Sequence, residues 1–161
     1  MNLFDRIVPA RADNRRLGHP VALWILAAIV ALRLLMGANS IINSRAIASG
    51  ADGIPLASFN AAAQAEVIQM FALLGLYLVL LALVGLVVLL RYRALIPLVF
   101  VCLLVQELGS KLVLWTHPDT SRGASPGAIV TLVIIGLTVV GLLLSVTGKG
   151  YAQSPAWHDD P

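Results

Sequence analysis

The sequence predicts an all-α fold: a polytopic membrane protein built as an antiparallel bundle of four transmembrane helices. Three observations predict it. Of 161 residues, 59% are hydrophobic and only 12% are charged, against roughly 25% charged in soluble domains. Mean hydropathy is +0.90. Four apolar stretches approach or exceed the about 20 residues needed to cross a bilayer core, and polar, turn-forming segments separate them. The length leaves room for one bundle, so residues 1–161 read as a single membrane domain.

Residues 1–20 form a basic leader carrying Arg6, Arg11, Arg15 and Arg16. Leu3, Phe4, Ile7 and Val8 have the spacing of a short amphipathic turn on a membrane surface, which Pro9 ends; a leader without fixed structure is the other reading. The next apolar run starts too late, is too long and lacks the cleavage site of a signal peptide. The first span covers about 21–43, with Arg33 as its one charge. A connection of roughly twenty residues comes after it, with a turn at Asp52-Gly53 and Pro55 and an N-cap at Asn60. The second span, about 67–90, is the charge-free interval between Glu66 and Arg91. Only Arg91-Tyr92-Arg93 separates it from the third, about 94–115, so these two form a tight hairpin. The turn-rich segment THPDTSRGASPG leads to the fourth span, about 126–147. The tail, 149–161, lacks periodicity and reads as flexible.

Orientation is set by the basic residues outside the spans. Arg6, Arg11, Arg15, Arg16, Arg91, Arg93 and Lys149 fall on one side, and Arg45 and Arg122 on the other. The positive-inside rule puts both termini in the cytoplasm of a bacterial inner-membrane protein. Trp24 and Tyr92 then sit at the inner interface and Trp115 at the outer one.

The strongly polar residues of the spans gather towards the outer side. At 1.5 Å per residue, Arg33 lies about 18 Å and Glu107 about 20 Å from the inner edge, so they share a level. Lys111 is one turn further out on the face of Glu107. Gln106 adjoins it; Asn39 and Ser40 close the first span, and Glu66 and Gln69 open the second. Intramembrane charges are expensive and mark sites or interhelical pairs. The expected pairings are Arg33 with Glu107 and Lys111 with Glu66. Three readings of this cluster stay open: a pocket for a small polar or anionic ligand, a charge pair that fixes packing, and a contact between subunits.

Other chemistry finds little support. The one cysteine, Cys102, forms neither an intrachain disulfide nor a redox pair. His19, His117 and His158 lie outside the spans, where they do not ligate haem between helices, and no ligand spacing indicates a metal. No phosphate loop, nucleophile elbow or His-Glu-x-x-His is present. The positive net charge, +3, flanks spans and does not indicate nucleic acid.

The segment LRLLMGANSII, with Arg33 and Gly37 in an R-x-x-x-G setting, and Glu66 at the start of the second span resemble the DoxX-like membrane proteins of bacteria. The resemblance implies a small four-helix fold and an association with membrane redox systems, including quinone-linked sulfur oxidation. The segments RYRALIPL and QELGSKLVL have no counterpart in that pattern. The functional expectation is a non-catalytic component whose outer-leaflet polar cluster binds a small molecule, a lipid head group or a partner subunit, in this chain without a cofactor. Two alternatives are a quinone-interacting subunit of a redox complex and an oligomeric small transporter or channel.

Overall fold

The computed structural model describes residues 7–8, 18–117 and 126–147. Most of the amphipathic turn read at Leu3–Val8, most of the segment joining the last two spans, and the tail lie outside the described residues. Four described helices are long and apolar enough to cross a membrane: α1 (Pro20–Ile42), α2 (Ala61–Arg91), α3 (Ile96–Thr116) and α4 (Pro126–Thr147).

Local chemistry sets the ends of these helices. Pro20 opens α1, where its missing N–H costs nothing, and the imidazole of His19 accepts from the Val21 N–H at 3.3 Å. The Asn60 side chain accepts from the Ala63 N–H at 2.8 Å and starts α2, ahead of the apolar interval at 67. The 31 residues of α2 span about 46 Å, well beyond a hydrocarbon core of about 30 Å. It ends at Arg91. Tyr92 caps it, its N–H on the Val88 carbonyl at 3.0 Å. The single turn Arg93–Leu95 is a 3₁₀ helix, so α3 starts at Ile96 and not at 94.

The connection between α1 and α2 is more ordered than its turn residues indicate. Asn43 leaves helical geometry; a short helical turn at Ser44–Ala46 and a π-helical turn at Ile47–Ala51 come next. Gly53 has φ 67°, a left-handed conformation that glycine adopts without strain. Beyond it the Ile54 N–H returns to the Ala48 carbonyl at 2.9 Å. Ala48 and Leu56 are buried, so this segment packs as a small cap.

Helix α1 packs against α2 and α4, and α4 also packs against α3. The buried residues of α1 are Ala22, Leu26, Ile29, Val30, Arg33, Gly37 and Ser40, a stripe with helical spacing. Small residues bring the backbones together. A Cβ on Gly37 would stand 2.8 Å from the Gly75 carbonyl oxygen, and one on Gly75 would stand 2.7 Å from that of Gly37. Gly85 receives Val30, and Gly141 receives Phe100 and Ile25. Where apolar side chains gain little from leaving lipid, such close packing is what joins helices.

The core is uneven along the helices. Its α2 and α3 members are Ala82, Val88, Leu89, Ile96, Val99, Phe100 and Leu103, all towards the Tyr92 end. The buried residues of α3 stop at Leu103. The expected tight hairpin is therefore closed at its turn, while the far half of α3 has no buried residue.

Candidate functional site

Arg33 lies on the buried stripe of α1 and reaches across to α3. Its Nη2 forms an ion pair with Glu107 Oε1, and its Nη1 donates to Gln106 Oε1 at 2.5 Å. The forked guanidinium serves both neighbours at once, which a lysine ammonium does with less directional control. The side chains of Arg33 and Glu107 are 2% and 12% exposed, so the pair is largely withdrawn from its surroundings. Arg33 Nε is buried without a hydrogen-bond partner among the described residues.

Beside this pair lies a cleft of about 720 Å³, within the usual range of roughly 300–1,000 Å³ for small-molecule sites. Helix α3 contributes Gln106, Glu107, Ser110 and Lys111, with Val113 and Leu114 further along. Met70, Phe71 and Leu74 of α2 form one wall; Gly127, Ala128 and Thr131 of α4 form the other. Asp52 closes the end from the α1–α2 connection. The cleft exists because α3 has left the core after Leu103: the gap between α2 and α3 is filled at one end and open at the other.

Lys111 is half-buried in this cleft. It makes no hydrogen bond or ion pair among the described residues. The expected Lys111–Glu66 pair does not form, and Glu66 is exposed. Nine residues separate Glu66 from Gly75, which at 3.6 residues per turn puts them on opposite sides of α2. Because Gly75 is held against Gly37, Glu66 faces away from α1.

The remaining members of the expected cluster also disperse. Gln69 is exposed on α2. Asn39 is exposed, and its Oδ1 accepts from Asn43 Nδ2 at 2.7 Å. Ser40 is buried in the seam between α1 and α2, close to Gly75. The structure thus brings together Arg33, Gln106 and Glu107, sets Lys111 beside them, and leaves Asn39, Ser40, Glu66 and Gln69 elsewhere.

Asp52, Ser110 and Thr131 also border the cleft, beyond the residues expected from the sequence. Asp52 Oδ1 comes within 3.0 Å of where a Gly127 Cβ would be, beside the first turn of α4, which has no acidic residue of its own. A carboxylate there complements the positive end of the helix dipole. The sequence marks a turn at Asp52-Gly53 but holds no signal that links it to a helix starting at Pro126.

No group of His, Cys, Asp and Glu among the described residues is arranged to hold a metal ion. His19 caps α1, His117 ends α3 with its N–H on the Val113 carbonyl at 3.0 Å, and Cys102 is exposed on α3. Comparisons of the chain with protein-family models, with curated proteins and with solved structures give no match.

Proposed function

We propose that this chain is a multi-pass protein of the bacterial inner membrane, with four antiparallel spans and both termini cytoplasmic. It works there as a non-catalytic component that binds a small ligand in the cleft beside Arg33 and Glu107. The antiparallel arrangement is supported by Gly37 meeting Gly75 while Val30 meets Gly85: positions rise along α1 as they fall along α2. The basic residues flanking the spans support the orientation.

One observation carries the binding reading. The two acceptors of a buried arginine border an open cleft of about 720 Å³, although packing alone would favour closing the helices over the charges. Charged groups inside a span that face a cavity commonly mark a ligand site. Towards the Tyr92 end, the buried hydroxyls of Thr138 and Ser145 are bonded to carbonyls of their own helix. That favours a site reached from one side over a polar path across the membrane.

Native mass spectrometry of the protein released gently from its own membrane tests this. A bound small molecule or lipid, lost when Ser110→Trp fills the cleft, is the expected result. Among the described residues the Ser110 hydroxyl bonds the Gln106 carbonyl, at 2.8 Å, so this variant removes no side-chain partner of the Arg33–Glu107 pair. Glu107→Gln tests the polar wall itself. A quinone in the spectrum would support the redox-subunit alternative that the DoxX-like resemblance implies. A bare protein from both forms would make the cluster a packing device.

A further inference from the structure

The cleft is bordered by two kinds of surface. On the α2 side Met70 and Leu74 are exposed, as are Val113 and Leu114 on α3. The lips are therefore apolar and continuous with the outer flanks of the helices. A ligand that arrives from water and is polar throughout gains nothing from such an entrance. One that arrives along the bilayer with its own apolar portion does.

The charges inside the cleft are not equally engaged. Glu107 is committed to Arg33. Asp52 lies against the first turn of α4 at Gly127 and is itself engaged. Lys111 has no ion-pair partner among the described residues, although it is half-buried. An ammonium at this depth needs an anion or water to offset its desolvation. Ser110 adds a hydroxyl next to it.

Resting on the proposed membrane-embedded binding cleft, we infer that the occupant is a phospholipid that enters sideways between α2 and α3. Its phosphate lies on Lys111, and its upper acyl chain lies along Met70, Phe71 and Leu74. A phosphate oxygen accepts from the ammonium in a charge-assisted bond, the strong class of hydrogen bond. The apolar wall holds the glycerol-proximal part of the chain. The cleft volume accommodates a head group and that first part of a chain, while the remaining hydrocarbon stays in the bilayer.

The test uses the full-length protein in a neutral detergent, titrated with dioctanoyl phosphatidylglycerol, dioctanoylglycerol and sodium phosphate. Binding is tracked by native mass spectrometry and by the shift in thermal midpoint. The expected result is saturable binding of phosphatidylglycerol, with dioctanoylglycerol, which has the same chains and no phosphate, weaker by about tenfold or more, as loss of a charge-assisted contact predicts. Lys111→Gln should remove that preference and Lys111→Arg should keep it, and the pair of variants separates lost charge from lost fold. Leu74→Trp should weaken phosphatidylglycerol by blocking the chain wall. Equal binding of the two lipids, an unchanged preference in Lys111→Gln, or no lipid binding at all overturns the inference. Phosphate binding as tightly as the lipid also overturns it, but leaves a polar-ligand cleft in place. A non-lipid ligand that Ser110→Trp removes likewise sinks the phospholipid and preserves the binding reading, whereas a protein that binds nothing ends both.

Discussion

Arg33 of α1 and Glu107 of α3, 74 residues apart in sequence, form a largely buried ion pair that Gln106 extends. Breaking a buried pair from one side leaves an unpaired charge and costs about 3–5 kcal/mol, while replacing both partners with apolar residues is often neutral. Arg33→Met and Glu107→Leu should therefore each lower stability sharply, and the double variant should lose less than the sum. Unfolding of the four forms in mixed detergent micelles provides the cycle. Simple additivity would show that the two side chains are not coupled.

The seam between α1 and α2 depends on having no side chain at Gly37 and Gly75. Alanine at either position puts a methyl into a backbone carbonyl; overpacking of this kind costs about 1–3 kcal/mol. Gly136 has open space around its Cβ direction, so Gly136→Ala should be neutral or gain up to about 1 kcal/mol of helix propensity. Thermal midpoints of the three variants in one detergent decide the matter. Equal midpoints for Gly37→Ala and Gly136→Ala would remove the close approach as a source of stability.

Asp52 ties the cap between α1 and α2 to the start of α4. Asp52→Asn keeps the shape and removes the charge, which should cost about 0.3–1 kcal/mol. Hydrogen exchange should quicken at Ile54, whose N–H bonds the Ala48 carbonyl, while α1 from Leu26 to Arg33 stays protected. Uniform loss of protection would indicate instead that the whole fold has loosened.

Orientation is open to direct labelling. In a Cys102→Ser background, Arg45→Cys should react with a membrane-impermeant thiol reagent in intact cells, and Arg91→Cys should react only after permeabilisation. The reverse pattern would invert the proposed topology.

The helices were legible in the sequence because each is a long apolar run, of the length and composition that a membrane crossing requires. The levels of Arg33 and Glu107 were legible too, since rise per residue converts numbering into depth, and the structure joins the two. Direction around a helix axis was not. Asn39 and Gln69 lie near the others in depth yet turn outward and stay exposed, while Glu66, one turn before Met70, stops short of the cleft that Lys111 borders. The role of Asp52 was hidden for a related reason. A turn signal shows where the chain bends, but it does not show which distant helix the bend reaches. The cleft itself arises from the core ending at Leu103, and apolar residues continue beyond that point in the sequence without any change of composition.

The early end of that core gives α3 the mechanics of a lever. Phe100, seated at Gly141, is its fulcrum, and the arm from there to Thr116 is about 24 Å long. Arg33 grips this arm near its middle, through Gln106 and Glu107. By geometry alone, any tilt of α3 about Phe100 would displace Trp115 roughly twice as far as it displaces the grip.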